Sequence, residues 1–244
     1  MSDAARAANP TPGSLDRADE VRLMFDQIAP KYDRANRVLS LGLDQGWRRK
    51  AIRLLEDKAQ GDVLDLCAGT LDLTEMLIER GANSVVSVDF SEQMLQIGAQ
   101  KLDPEAPFRC VVADARSLPL EDNSVDAILC AFGLRNVPEV EKAIAECARV
   151  LRPGGRMVVL DFFQPTTFLS RLLQGTYNRF VVPIVGGFIT GFREAYRYLT
   201  GSIDAFMTRS EFEALLATHD FEVSGTELFP PVASRVLAVK GSRA

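Results

Sequence analysis

Three aspartates stand at the ends of short apolar runs: Asp65 in Val63-Leu64-Asp65-Leu66, Asp89 closing Val85-Val86-Ser87-Val88, and Asp114 in Ala113-Asp114-Ala115. Behind the first run, Cys67-Ala68-Gly69-Thr70 is built of small residues, which let a ligand approach the backbone closely. Asp89 falls about 20 residues beyond that turn, where a carboxylate can take both hydroxyls of a ribose. Asp114, behind the third run, suits an adenine amino group. One acid at a strand end is more commonly a helix cap than a ligand. Three of them behind consecutive runs describe a nucleoside-binding edge, with Asp65, Ala68, Gly69, Thr70, Asp89 and Asp114 as its candidates. A dinucleotide would require G-x-G-x-x-G around its pyrophosphate. Here only Gly69 remains, flanked by Asp65 and Asp72. S-adenosylmethionine has no phosphate and carries an ammonium and a sulfonium, so acidic surroundings favour it.

The elements that must position these residues follow from periodicity. Asp62–Leu66, Ser84–Val88, Phe108–Val112 and Val125–Cys130 read as short buried strands, alternating with helical segments near Asp72–Arg80, Glu92–Leu102 and Glu139–Leu151. Arg152-Pro153-Gly154-Gly155 predicts a turn, with a strand over Arg156–Phe163. This alternation gives an α/β fold: a mostly parallel sheet with helices on both faces, binding ligands beyond the carboxyl ends of its strands. Ahead of it, Glu20–Ile28 and Asp44–Glu56 read as helices joined by a polar link holding Pro30, Tyr32, Asp33 and Asn36. The strand rhythm stops from Phe168 to Tyr198, then a helix (Arg209–Thr218) and two strands (Phe221–Phe229, Arg235–Lys240) close the chain. The organisation expected is a disordered tail over 1–18 and a single domain over 19–244. Within that domain, 19–57 form a helical cap and 165–205 a helical insertion, either a substrate lid or a packing layer.

Bulk properties narrow the classes. The 244 residues are 47% hydrophobic and 25% charged, with a net charge of −5 and no Lys/Arg run, which argues against a phosphate-backbone partner and so against nucleic acid. Cys67, Cys110, Cys130 and Cys147 are scattered through apolar contexts that read as buried, so reduced thiols in a cytoplasmic protein are expected. His219 is the only histidine, no metal site is expected, and this residue reads as structural. The apolar run Phe180–Phe192 is too short to span a bilayer.

The sequence resembles the ubiquinone/menaquinone-biosynthesis C-methyltransferases, within the class I methyltransferase (Rossmann-like) fold, from about Val21 to Lys240. The motifs that carry the resemblance are Phe25 to Asp33 (FDQIAPKYD), Asp65 to Thr74, Val88-Asp89-Phe90-Ser91, Ala131 to Val137 (AFGLRNV), Leu151 to Gly155 (LRPGG) and Glu194 to Leu199 (EAYRYL). LRPGG is common to many methyltransferases, whereas AFGLRNV and the N-terminal segment are more specific. The resemblance implies S-adenosylmethionine contacts at Thr74, Asp89, Asp114, Ala115 and Ala131, and C-methylation of a lipophilic quinol ring, demethylmenaquinol or the related ubiquinol precursor. Two positions depart from the family's pattern. Leu71 replaces a glycine in the first loop, which puts a side chain in the donor's path unless it turns into the core. Pro230-Pro231-Val232-Ala233-Ser234 stands where relatives carry glycines and a histidine.

A sulfonium methyl is already electrophilic, so the acceptor must be aligned and activated. A phenol titrates at about 10, and a nearby guanidinium lowers that value. Arg135 is the candidate for stabilising the phenolate and Asn136 for orienting it; the alternative is that Arg135 pairs with a local acid and shapes the loop. Tyr32 is a candidate for lining the sulfonium side or assisting proton removal, against a plain core tyrosine. Phe132, Tyr177, Tyr196 and Arg197 are further candidates for the acceptor pocket. The apolar insertion (Phe168, Leu169, Leu172, Leu173, Phe180, Val181, Ile184, Val185, Phe188, with Arg171 and Arg179) reads either as core or as a tunnel and peripheral membrane contact. Homo-oligomerisation is left open. Two other functions compete: methylation of another phenolic or heteroaromatic molecule, and a non-catalytic binding or assembly protein on the same fold.

Overall fold

Alternate residues of the central strands face opposite layers, as the two-residue period of a strand demands. In the computed structural model, which describes residues 18–176 and 193–242, Leu64, Leu66, Ile128, Cys130, Met157 and Val159 enter one core, and Val63, Ala127, Leu129, Ala131, Val158 and Leu160 enter the other. The strands are β1 (Asp62–Leu66), β2 (Ser84–Asp89), β3 (Phe108–Val112), β4 (Val125–Ala131), β5 (Leu151–Asp161), β6 (Phe221–Glu227) and β7 (Ser234–Lys240). They form a seven-stranded sheet in the order β3-β2-β1-β4-β5-β7-β6, with β7 antiparallel to both its neighbours and the rest parallel. After β1 the chain moves outward through β2 and β3, and after β4 it moves the other way. A crevice therefore opens where β1 and β4 end side by side, the switch point at which such sheets bind ligands.

Helices α3 (Asp72–Glu79), α4 (Glu92–Ala99) and α5 (Val140–Val150) make the parallel crossovers. On α5, Ile144, Cys147 and Val150 are fully buried, one-face spacing that drives the helix onto the sheet. The last helix, α8 (Arg209–Ala217), starts with a capping box in which Thr208 and Glu211 satisfy each other's backbone N–H groups.

The N-terminal cap corrects one expectation. The polar link between two helices is itself helical: α1 runs unbroken from Ala18 to Leu39 with Pro30 inside it, followed by α2 (Leu43–Ile52) and a 3-10 helix over Arg53–Gln60. Proline deprives a helix of one donor, but Ile28, Ala29 and Ala35 on either side of it pack with Met94 of α4 and Ala195 of α7 (Arg193–Ala205). Packing overrides the local signal. α1 thereby carries Tyr32, Asp33 and Asn36 along a rigid element. Two further corrections are local. β5 begins at Leu151, so Arg152–Gly155 is a bulge within the strand rather than a turn before it: Val125 pairs with Leu151 and Ala127 already with Arg156. Cys110 is exposed, because β3 is an edge strand with open faces.

Of the insertion, α6 (Phe168–Thr176) and α7 are described. Tyr177, Arg179, Phe180, Val181, Ile184, Val185 and Phe188 lie outside the described residues, as do the side chains of Leu169, Leu173, Tyr196 and Arg197.

Candidate active site

The turn after β1 is held open by backbone bonds. Gly69 (φ 54°) donates its N–H to Asp89 Oδ2 at 2.8 Å, while Ser91 N–H reaches Asp89 Oδ1 at 2.9 Å. Burial pushes the Asp89 carboxyl up to about 6, against the pull of these donors. Around it lies a cavity of about 90 Å³ whose lining includes Gly69, Asp89, Asp114, Ala115, Ala131 and Gly133. Five of the nine residues expected to hold a nucleoside thus share one wall. Arg116 grips both Asp114 oxygens and holds that carboxyl below its ordinary range. Gly133 is required for space, since a Cβ there would stand 2.3 Å from Cys67 Cβ. S-adenosylmethionine fits this donor set: carboxylates for hydroxyl and amino groups, small residues against the backbone, and a cation, Arg116, tied to Asp114 and Glu139 rather than free for phosphate.

The other four candidates stand behind that wall. Asp65 is fully buried, accepting from Thr74 Oγ1 at 2.7 Å, and the Thr74 hydroxyl also meets Ser87 Oγ at 2.7 Å. Burial raises the Asp65 carboxyl to about 7. Ala68 N–H is bonded to Val88 O at 3.0 Å. Thr70 donates to Asp33 of α1, and Lys101 binds both Asp33 and the Thr70 carbonyl, which ties the cap to the donor loop. Leu71 takes the orientation that leaves the donor's path clear: it is buried at φ 65° and packs against Gly98 of α4, where a Cβ would be 2.4 Å from Leu71 Cγ. The departure at Leu71 therefore does not obstruct the site.

A second, larger cavity of about 300 Å³ opens between α1, α2, α7 and the loop after β4. Phe25, Tyr32, Phe132 and Asn136 line both cavities, so the two adjoin at these side chains. Phe132 sits at φ 63°, a conformation that costs a non-glycine residue of order 1–3 kcal/mol and persists where the surroundings impose it. Its ring stacks on Phe162 (centroids 4.9 Å apart) with Trp47 tilted beside it at 6.4 Å. Arg135, on the short 3-10 turn Leu134–Asn136, is only 5% exposed. Its Nη1 donates to Asp161 Oδ1 at 2.6 Å and to the Phe132 carbonyl, and its guanidinium lies 5.5 Å from the Phe162 centroid. Arg135 thus pairs with a local acid, one of the two alternatives read from the sequence, and it also lines the cavity.

Three buried polar atoms of other residues lining this cavity make no hydrogen bond among the described residues: Asn136 Oδ1, the Tyr198 hydroxyl and Arg48 Nε, the last 3.9 Å from Asp44 and Asp72. A buried donor or acceptor left unsatisfied costs about 1–3 kcal/mol, so any shift of the cavity wall that gives these atoms a polar partner is favoured. Burial raises the Tyr198 phenol to about 12 and also raises that of Tyr32, both countered by the Arg135 charge. Either hydroxyl stays protonated at neutral pH and serves as a hydrogen-bond donor. Trp47, Arg48, Phe162 and Tyr198 were not among the sequence candidates. Tyr198 was missed by helical phase: α7 turns position 198 inward, as its burial at 3% exposure records. The Trp47-Arg48 pair inside an amphipathic helix gave no chemical signal.

Comparison with known proteins bears on the family and the fold. The model of the ubiE/COQ5 methyltransferase family matches residues 14–231. A demethylmenaquinone methyltransferase of Thermus thermophilus is 44% identical over 202 residues, covering 82% of this chain and 92% of that protein. A ubiquinone/menaquinone biosynthesis C-methyltransferase, UbiE, of Geotalea daltonii is 37% identical over 212 residues, covering 85% and 90%. Among solved structures, an S-adenosylmethionine-dependent methyltransferase from Mesorhizobium loti superposes with TM-score 0.60 at 19% identity, covering 82% of this chain and all of that one, a likeness of fold.

Proposed function

The chain belongs to the ubiE/COQ5 methyltransferase family, and on that premise we propose that it methylates a ring carbon of demethylmenaquinol, or of the related ubiquinol precursor, in the larger of the two adjoining cavities. The enzyme is an S-adenosylmethionine-dependent C-methyltransferase with a class I fold. The observation that supports the substrate placement is the junction itself: the cavity lined by Asp89 and Asp114 adjoins an aromatic one at Phe25, Tyr32, Phe132 and Asn136.

The bound donor supplies an electrophilic methyl group. Asp89, Asp114 and the small residues Gly69, Ala115 and Ala131 would hold it, and the remaining work falls to the acceptor cavity. The stacked pair Phe132–Phe162, with Arg48 and Arg135 over its rings, gives the cavity an apolar aromatic wall for a ring to pack against. Holding two reactants in line supplies roughly 7–11 kcal/mol in well-ordered systems. Asn136 Oδ1, free of other partners, accepts a hydrogen bond from the ring hydroxyl and orients it. Arg135, which lines the same cavity, favours the deprotonated form of that hydroxyl, at about 1.4 kcal/mol for each unit by which that phenol's pKa falls, with the proton passing to bulk water. Asp161 cancels the net charge of the pair but fixes the guanidinium in place. Arg135 therefore acts as a rigid hydrogen-bond donor more than as a free cation. Tyr32, kept protonated by burial, is a second donor at the junction rather than a base.

The cavity mouth supports contact with a membrane surface, from which a lipid-tailed quinol would enter. Leu41, which lines the cavity, and Phe229, next to the lining Pro230, are each 85% exposed. No helix among the described residues is long and apolar enough to cross a membrane.

Transfer of a labelled methyl from S-adenosylmethionine to chemically reduced demethylmenaquinone tests the reading, with the oxidised quinone as control. Label in the ring of the reduced form alone is expected. Transfer to neither form, with donor binding intact, would assign the cavity to another phenolic acceptor.

A further inference from the structure

Resting on the acceptor placement proposed above, we infer that Arg48 receives the second oxygen of the acceptor ring, so that the enzyme selects rings bearing two oxygens over monophenols. Arg48 lies on α2, is 7% exposed and lines the larger cavity. Burying a guanidinium without hydrogen bonds is costly. Yet Arg48 Nε makes no hydrogen bond among the described residues; this buried atom lies 3.9 Å from both Asp44 and Asp72, and it is the rest of the side chain that lines the cavity. Those acids do not depend on it. Asp44 already accepts from Arg37 at 3.1 Å, Ser40 at 2.7 Å and Gln45 at 3.0 Å, and Asp72 is flanked by Arg37 at 3.5 Å and Lys101 at 3.8 Å.

What Arg48 does touch is the face of Phe132, 5.3 Å from its centroid. Arg135 takes the equivalent place on Phe162, the other member of the stacked pair. Two guanidiniums thus sit against two stacked rings in a single cavity. An aromatic diol carries two oxygens on opposite ring positions, and this arrangement offers each a cationic donor. Arg135, beside the junction residue Asn136, serves the oxygen next to the methylated carbon. Arg48 serves the other. A hydrogen bond to a charged group contributes about 1.5–3 kcal/mol, which corresponds to about ten- to a hundredfold in affinity.

Trp47 is the only tryptophan of the chain and lines the same cavity, so its fluorescence reports occupancy directly. The probes are 1,4-naphthalenediol under reducing conditions and 1-naphthol, each titrated with S-adenosylhomocysteine present. The native protein is expected to bind the diol at least about tenfold more tightly. In Arg48→Gln that preference collapses to about twofold or less, and in Arg48→Lys, which keeps the charge but not the fork, it is partly retained. Affinity for S-adenosylhomocysteine, measured on each variant, reports whether the fold is intact. Equal losses for diol and 1-naphthol, or an unchanged preference, overturn the inference alone and make Arg48 a structural ion-pair member. Failure of the native protein to bind either probe overturns the acceptor placement and this inference with it.

Discussion

Leu71 and Gly98 interlock: the leucine side chain occupies the space above α4 that any residue larger than glycine at position 98 would fill, its Cγ lying 2.4 Å from where that Cβ would stand. The pairing lets a bulky residue occupy the donor loop without entering the donor cavity. Gly98→Ala should displace both Leu71 and the Thr70 backbone, whose carbonyl would be 2.8 Å from the new methyl. Affinity for S-adenosylhomocysteine, measured by calorimetry, is expected to fall by about tenfold or more, the range in which overpacking costs about 1–3 kcal/mol. Adding Leu71→Gly should recover part of the loss. Undiminished binding in Gly98→Ala would show that the loop relaxes freely.

Arg135 and Asp161 form a buried pair that breaks from either side. Both Arg135→Ala and Asp161→Ala should destabilise the fold by about 3–5 kcal/mol, because each strands a buried charge. In protein that remains folded, Arg135→Ala should lower kcat by about a hundredfold or more while leaving donor affinity intact, the effect of losing one preorganised donor. Full activity in a folded Arg135→Ala protein would remove Arg135 from the reaction.

Asp89 predicts a pH profile for donor binding. Its carboxyl is raised to about 6 by burial, so the hydroxyl-accepting anion is lost as pH falls through that value. The dissociation constant for S-adenosylhomocysteine should rise below about pH 6. In Asp89→Asn, binding should be weak and flat across the same range. A profile that keeps its slope in Asp89→Asn would place the titrating group elsewhere.

Asp65 predicts the opposite dependence for stability of the ligand-free protein. Its folded pKa of about 7 lies above the unfolded value of about 3.9, so the native state binds more protons between these values. Stability from this residue is full below about pH 4 and declines as pH rises to 7. Asp65→Asn should flatten that slope in urea unfolding measured from pH 5 to 8. An unaltered slope would mean that Asp65 ionises normally.

Leu41 and Phe229 test the membrane reading. The double variant Leu41→Ser/Phe229→Ser should bind liposomes of mixed neutral and anionic lipid less, by about tenfold for two apolar side chains. Its activity toward a short-chain soluble acceptor should be retained. Equal liposome binding by native and variant protein would move the contact to another face.

The sequence by itself determined the sheet, the crossovers and the donor edge. Parallel strands need apolar runs and connecting helices, and a nucleoside needs acids and small residues just behind the strand ends, so Gly69, Asp89 and Asp114, which line one cavity, were legible in one dimension, while Ala115 and Ala131 were added by the family resemblance. Arg135 and Asn136 were legible because they follow the fourth strand. What only the tertiary structure decided depends on which neighbours a side chain finds. Pro30 predicted a break that packing around Ile28 and Ala35 overrode, so the cap is one rigid helix. Thr74 and Asp65 sit in the signature loop yet satisfy each other behind it, and Thr70 ties the loop to Asp33. The acceptor cavity brings together Tyr32, Arg48, Arg135 and Tyr198 from four separate elements. No spacing rule along the chain encodes that meeting. It arises because α1, α2 and α7 bury their apolar faces over the switch point of the sheet, and the polar groups carried along on those faces are left looking into one cavity.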